Sequence, residues 1–88
     1  MKHSIEFTAL EYQELIELVF LGEYLKTKDV VPENYKQMTS LPSTRLKNQV
    51  LSQASKFNSE ALVVSYPDLQ GQFFLANSDD LLDEYFNQ

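Results

Sequence analysis

Acidic side chains and a single histidine are the groups with which this sequence could perform acid–base or metal chemistry. Glu11, Glu14 and Glu17 recur at every third position, a spacing that places them along one side of a helix. Near the end of the sequence a second acidic group follows, formed by Asp79, Asp80, Asp83 and Glu84. Neither group has the alternating oxygen ligands and central glycine of an EF-hand calcium loop. A solvated helix surface is the favoured interpretation of both groups.

The sequence has few other groups that serve catalysis. His3 is its only histidine and it has no cysteine, so the usual ligands of zinc and other transition metals are scarce. Gly22 and Gly71 are isolated, which leaves no glycine-rich loop for a phosphate. We therefore expect no catalytic residue, no metal site and no cofactor, and hence no enzyme.

The net charge of −6 is unevenly distributed. The first 25 and the last 32 residues carry net charges of −4 and −6, whereas the 31 residues between them carry +4. A basic segment of this kind can bind nucleic acid, and Arg45, Lys47 and Asn48 are the candidate contacts. The overall acidity counts against that alternative, since domains that bind nucleic acid are usually basic. A basic helix packed beside an acidic segment is the preferred interpretation.

The stretch from Thr8 to Lys26 indicates the first and longest helix. Thr8 and Glu11 have the spacing of a capping box, in which the side chain of each accepts a hydrogen bond from the backbone N–H of the other. Apolar residues occur on most sides of this helix, expected at about 9–26, so it is either central in the fold or shared with a partner. Gly22 inside it suggests close approach of another segment or a weak point of the helix.

Weaker patterns predict the remaining elements. They are a strand at 3–7, a short helix at about 32–38 with Tyr35 and Met38 inward, a second long helix at about 43–57, strand-like segments at 61–66 and 72–75 around a turn at 67–71, and a final helix beginning at Ser78. The expected fold class is mainly α, with three principal helices, one short helix and room for a small β element; α+β is the alternative. Whether 61–75 forms a hairpin stays open.

One domain over 1–88 is expected. Its last helix is still amphipathic where the sequence stops, so a domain that is truncated within this helix is the alternative.

The apolar residues of these elements divide into an expected core and a surplus. The core positions are Phe7, Leu15, Leu18, Val19, Leu46, Val50, Leu51, Phe57, Leu62, Val64 and Phe74. The surplus, on the first and last helices, suggests an interface for a partner protein or a second copy, with Phe20, Tyr24, Leu82, Tyr85 and Phe86 as candidates. A small non-catalytic protein–protein interaction module is therefore the predicted function, and nucleic-acid binding through the helix at 43–57 is the alternative.

Two further expectations rest on absent signals. No apolar run is long enough to span a membrane, and with no cysteine and no export signal a cytoplasmic protein is expected. No motif suggests a small-molecule substrate.

The run from Glu14 to Tyr24, Glu-Leu-Ile-Glu-Leu-Val-Phe-Leu-Gly-Glu-Tyr, resembles the early helix of a group of small uncharacterised prokaryotic helical proteins. The run Asp83-Glu84-Tyr85-Phe86 is similar in character to their acidic, aromatic C-terminus. The resemblance implies a second helix in the middle of the chain. It implies no activity and no functional residue, because that group has none assigned.

Overall fold

Residues 3–31, 33–69 and 71–86 are described by the computed structural model. The elements, in chain order, are α1 (Ala9–Thr27), α2 (Tyr35–Thr39), α3 (Pro42–Leu51), two short 3₁₀ turns (Ala54–Phe57 and Glu60–Leu62), β1 (Val63–Ser65), β2 (Phe73–Leu75) and α4 (Ser78–Phe86). Helices α1 and α3 pack against each other, and β2 contacts both. The expected fold class, mainly α with a small β element, is confirmed.

Helix α1 begins with the capping box that the sequence predicted. The Thr8 hydroxyl accepts a hydrogen bond from the Glu11 N–H at 3.1 Å, and the Glu11 carboxylate accepts one from the Thr8 N–H at 2.9 Å. The helix then buries Tyr12, Ile16 and Phe20, which are four residues apart and therefore share one side. Side chains thus fix the start of α1, and a single stripe fixes the side by which it packs.

The core forms where this stripe meets α3, the hairpin and α4. Its buried apolar members are Tyr12, Ile16, Phe20, Leu51, Ala54, Leu75 and Leu81. Of the expected core positions, Leu51 is fully buried, and Phe7, Leu15, Val50 and Phe57 pack against the cluster from its edge. The half-buried positions among those expected also include Val19, Val64 and Phe74.

Three expected core positions were wrong. Leu18, Leu46 and Leu62 are 60%, 55% and 40% exposed. Leu18 lies on the side of α1 away from Ile16 and Phe20, because two residues advance a helix by about 200°. Counting apolar residues does not show which side of α1 is buried, since its leucines and its larger side chains occupy opposite sides.

The second long helix is shorter than the predicted 43–57, because α3 ends at Leu51. The Tyr12 hydroxyl donates a hydrogen bond to the backbone carbonyl of Val50 at 2.6 Å. Carbonyl groups in the last turn of an α-helix lack the usual partner four residues on. The Val50 carbonyl accepts the Gln53 N–H at 3.2 Å, and Tyr12 gives it a second donor from α1. The Phe57 ring, in the 3₁₀ turn that follows, stacks on the Tyr12 ring with the two centroids 4.2 Å apart. The chain therefore continues to pack inward after Leu51, but no longer as an α-helix.

The strand-like segments at 61–66 and 72–75 form a short hairpin. Strands β1 and β2 pair in antiparallel fashion, with Val63 opposite Leu75. The start of the first segment instead belongs to the 3₁₀ turn Glu60–Leu62. The possibility of a hairpin, left open by the sequence, is thus realised over three residues in each strand.

Two local features hold the hairpin in place. Gly71 has a φ of +80°, a left-handed conformation that glycine adopts without strain. The side-chain oxygen of Asn48 on α3 accepts a hydrogen bond from the Phe73 N–H at 2.8 Å. This bond ties the second strand to α3. Gln70, within the predicted turn, lies outside the described residues.

The strand predicted at 3–7 does not form within the described residues. Ile5 is exposed, and Phe7 is half-buried where its ring meets the Phe57 ring edge-on at 6.5 Å. An extended segment needs neighbouring strands for stability, and in the described sheet β1 and β2 pair only with each other. This prediction was therefore wrong.

The short helix predicted at about 32–38 corresponds to α2. Asn34 caps it, because its side-chain oxygen accepts a hydrogen bond at 2.8 Å from the N–H three residues further on. Met38 is half-buried. Pro32 and the side chain of Tyr35, both part of this prediction, lie outside the described residues.

Gly22 is on the exposed side of α1, where a Cβ would meet no atom within 4 Å. Close approach by another segment of the described chain, one of the two explanations suggested by the sequence, is therefore wrong. The other explanation, a weak point of the helix, rests on helix propensity, because glycine weakens a helix interior by about 1 kcal/mol relative to alanine.

Replacing Tyr12 with phenylalanine should lower the free energy of unfolding by about 1 kcal/mol, because the half-buried Val50 carbonyl loses the shorter of its two hydrogen bonds and keeps the one from the Gln53 N–H. Urea unfolding followed by circular dichroism measures the change. The matched control is Tyr66→Phe, at an exposed tyrosine, which should change stability by less than about 0.5 kcal/mol. Equal stability of Tyr12→Phe and the wild type would show that the contact with Val50 is not stabilising.

The pH dependence of the same comparison provides a second readout. Burial raises the pKa of the Tyr12 phenol above its ordinary value of 10.0. Above that pH the unfolded chain loses this proton before the folded chain does, so the folded state loses stability as the pH rises. Tyr12→Phe lacks this titration, and its deficit relative to the wild type should shrink between about pH 9 and about pH 11.

Replacing Gly22 with alanine should raise the free energy of unfolding by about 0.5–1 kcal/mol, because the new methyl group meets open space and alanine favours the helix. Gly71→Ala is the contrasting variant and should lower it by about 1 kcal/mol, because its left-handed backbone strains any L side chain. Thermal unfolding of both variants measures the two shifts. A lower melting temperature for Gly22→Ala would contradict the prediction.

Candidate functional site

Four of the five candidate interface residues reach the surface. Phe20 does not: it is 7% exposed and belongs to the core, so its side chain is closed to a partner in this conformation. The Tyr24 and Phe86 rings meet with their centroids 4.9 Å apart, which joins α1 to the end of α4. Tyr85 and Phe86 are exposed, whereas Leu82 is half-buried against the core. Helix α4, which begins at Ser78 as predicted, thus carries aromatic surface beyond the edge of the core.

The outward side of α1 carries an apolar surface, the outer leucine face, which is formed by Leu18, Leu21, Gly22 and Leu25. Leu18 and Leu25 are 60% and 56% exposed, and Leu21 is half-buried. Spacings of three and four residues make these side chains neighbours on the helix surface. Tyr24 is three residues from Leu21, so the face continues toward the aromatic contact with α4. The sequence predicted a surplus apolar side on this helix, but it assigned Leu18 to the core.

Exposed charges border the outer leucine face at its two ends. Glu14 lies one turn before Leu18, and Lys26 lies one turn after Gly22. Lys28, also exposed, follows at the C-cap of α1. The face is therefore acidic at one end and basic at the other.

The candidate nucleic-acid contacts are mostly engaged inside the fold. Lys47 is 2% exposed, and the Asn48 side chain accepts the hydrogen bond from β2. Arg45 alone of the three is exposed. A side chain must reach solvent to neutralise a phosphate, so two of the three candidate residues are poorly placed to contact nucleic acid in this conformation.

A cavity of about 220 Å³ surrounds the inner end of Lys47. Apolar side chains form most of its wall. They come from α1, α2, β2, the N-cap of α3 and the segment after α1, and are those of Phe20, Met38, Phe74, Leu41 and Val30. Its polar lining includes Glu23, Thr44, Lys47 and Gln72. This is a partly open pocket with a few polar groups in an apolar surround, the usual composition of a ligand site.

Inside the cavity, the two charged groups have different partners. The Lys47 nitrogen lies 4.5 Å from the centroid of the Phe74 ring, a cation–π contact. The Glu23 carboxylate accepts a hydrogen bond from the Thr44 hydroxyl at 2.9 Å. Burial lowers the pKa of Lys47, and the negative charge of Glu23 opposes that shift. A lysine in this setting retains its charge less readily than one in water.

The burial of Lys47 was missed, although the sequence contains a signal for it. Thr44, Lys47 and Leu51 are spaced by three and four residues, so they occupy one side of a helix, and all three are buried. Because Leu51 was assigned to the core, the same reasoning places Lys47 inward. The positive charge of Lys47 instead favoured an exposed position, since lysine is rarely buried.

Within the part of the chain that the structure describes, no three histidine, cysteine, aspartate or glutamate side chains come together as ligands for a metal ion. None of the described helices combines the length and the apolar character required to cross a membrane.

No protein-family model, curated protein or solved structure gives a significant match to this chain. The similarity of residues 14–24 to small prokaryotic helical proteins stays an expectation from the sequence.

Proposed function

We propose that this protein is a non-catalytic interaction module that associates with a second copy of itself through the outer leucine face of α1. The observation that carries the proposal is the exposure of Leu18 and Leu25 on one continuous side of a 19-residue helix. Contiguous exposed apolar surface of this kind is typical of protein interfaces. The surroundings are proposed to be the cytoplasm, on the absence of cysteine and of an export signal.

The shape of the face supports a helix–helix contact. Gly22 lies between Leu18 and Leu25, and the space above it is open to 4 Å and beyond. A glycine at this position allows a second backbone to approach closely, while the leucines on either side pack around it. Two such faces interdigitate as ridges and grooves, the normal mode of helix packing.

The charges support an antiparallel arrangement of two copies. A two-fold axis between Leu18 and Gly22 brings Glu14 of each copy near Lys26 of the other. A parallel arrangement instead places Glu14 beside Glu14 and Lys26 beside Lys26. Like charges across an interface destabilise it and opposite charges favour it. Isologous contact of one surface with itself is also the commonest form of dimer.

The exposed end of α4 extends this surface. Tyr85 and Phe86 lie beyond the core, and the Phe86 ring touches Tyr24 beside the outer leucine face. Exposed aromatic rings are enriched in the centres of interfaces. In the proposed dimer these rings border the paired helices.

The double substitution Leu18→Glu and Leu25→Glu should weaken self-association at least about 100-fold, because burial of each leucine contributes about 1.5–3 kcal/mol. Light scattering over a concentration series, repeated at high salt, measures the mass. The matched control is Leu46→Glu, which is 55% exposed on α3 and should leave the mass unchanged. A wild-type chain that is monomeric at every concentration would overturn the proposal.

Charge reversals test the antiparallel arrangement. Glu14→Lys and Lys26→Glu should each weaken association by roughly threefold to tenfold, because each places like charges together at two symmetric contacts of modest strength. The double reversal should restore wild-type association, since the opposite charges meet again. Analytical ultracentrifugation of the four proteins gives the dissociation constants. Single reversals without effect would indicate the parallel arrangement.

A further inference from the structure

The cavity around Lys47 presents a cation and an anion that do not pair directly. Glu23 and Lys47 both line it, yet within the described residues no nitrogen–oxygen contact of 4 Å or less joins them. Glu23 is held by Thr44, and Lys47 rests on the Phe74 ring. Two opposite charges therefore remain available to one occupant of the same space.

The Lys47 nitrogen is open to this space. Its side chain is 2% exposed, and its contact is with an aromatic ring rather than with an oxygen. Among the described residues, every fully enclosed side-chain nitrogen or oxygen has a hydrogen-bond partner. The Lys47 nitrogen has no such partner and is therefore not fully enclosed, and Lys47 is one of the residues that line the cavity. Gln72, which is 3% exposed and also lines the cavity, offers an amide on the same wall.

The size of the cavity suits a small molecule. Its volume of about 220 Å³ is several times the roughly 30 Å³ that one water takes up in the liquid. Most of the wall is apolar, so part of the occupant must be apolar as well. Its polar part has to complement a positive and a negative group at once.

We propose that this cavity binds a free α-amino acid with an aliphatic side chain, such as leucine or valine. The carboxylate of the amino acid meets the Lys47 ammonium and the Gln72 amide, both of which are donors. Its ammonium group donates to the Glu23 oxygen that Thr44 leaves free. Its side chain packs among Met38, Leu41 and their apolar neighbours.

Charge balance favours a zwitterion over its simpler relatives. A carboxylic acid without an amino group would place a second negative charge near Glu23, and an amine without a carboxylate would face Lys47. Burying a charge without a partner is strongly unfavourable, whereas charge-assisted hydrogen bonds are the strong ones. The zwitterion satisfies both protein charges and introduces no net charge of its own.

This inference is independent of the proposed self-association. The cavity lies on the side of α1 that carries Phe20 and Glu23, away from Leu18. Ligand binding is detected by spectral shifts and self-association by mass, so that either proposal can fail alone.

The test is a titration of the full chain, labelled with nitrogen-15, with L-leucine in two-dimensional NMR spectra. We expect saturable shifts of the backbone resonances around the cavity at millimolar concentrations or below. Lys47→Met and Glu23→Gln should each raise the dissociation constant at least about tenfold, because each removes a charge-assisted hydrogen bond. Lys56→Met, at an exposed lysine outside the cavity, is the matched control and should bind leucine as the wild type does.

Both cavity variants are expected to fold. Methionine matches the Lys47 side chain as far as its Cε and removes a buried charge. Glutamine at position 23 still accepts the Thr44 hydrogen bond. Dispersed spectra of the variants check this directly, and a folded Glu23→Gln keeps the test decisive if Lys47→Met does not fold.

Two ligand controls test the zwitterion. Isocaproate has the carboxylate and the side chain of leucine without its ammonium group, and isoamylamine lacks the carboxylate. Each should bind at least about tenfold more weakly than leucine. The proposal is overturned if leucine shifts no cavity resonance at about 10 mM, if Lys47→Met binds it as tightly as the wild type, or if isocaproate binds equally well.

Discussion

The contact between Tyr12 and the end of α3 is the constraint on which the rest of this fold depends. The phenol donates to the Val50 carbonyl, and the ring stacks on Phe57. One side chain of α1 therefore adds a hydrogen bond to a carbonyl near the end of α3 and packs against the turn that follows. A directional hydrogen bond and a stacked ring pair together fix the rotation of α3 about its own axis. That rotation directs Thr44 and Lys47 toward α1.

The same packing leaves the other side of α1 uncovered. Helix α3 and strand β2 contact α1, whose buried side carries Ile16 and Phe20. No element of the described chain encloses Leu18 or Leu25, which remain largely exposed. A chain of 88 residues buries a smaller fraction of its surface than a larger domain does. The apolar surface of a helix with apolar residues on most sides therefore exceeds what its neighbours cover. The surplus is the physical basis for the proposed pairing of two copies.

The sequence predicts those features that depend on local chemistry. The capping box at Thr8, the helix that follows and the start of α4 depend on neighbours three or four residues away, and all three are found. The end of α3 could not be predicted in this way, because one of the groups bonded to it is the hydroxyl of Tyr12, 38 residues distant. Tyr12 itself was not assigned to the core, since a tyrosine needs a specific acceptor to be buried and that acceptor is visible only in the fold. The buried side of α1 could not be predicted for a related reason. Hydropathy ranks leucine above tyrosine, whereas the packing in this fold buries the larger aromatic rings.

Lys47 shows how the candidate ligand site differs from ordinary packing. Desolvation lowers its pKa, and a methionine would occupy the same space without losing hydration. The Phe74 ring and the charge of Glu23 offset only part of that loss, because neither supplies a hydrogen-bond acceptor at the lysine nitrogen. Residues that are not the most stable choice for their position concentrate at functional sites. A bound carboxylate would provide the hydrogen-bond acceptor for Lys47 that the chain itself does not. Since Glu23 lies on the inner side of α1 and Leu18 on the outer side, ligand and second copy meet opposite sides of one continuous helix. Coupling between ligand binding and self-association therefore requires a movement of α1 as a whole. The hydrogen bond from Tyr12 to α3 resists such a movement.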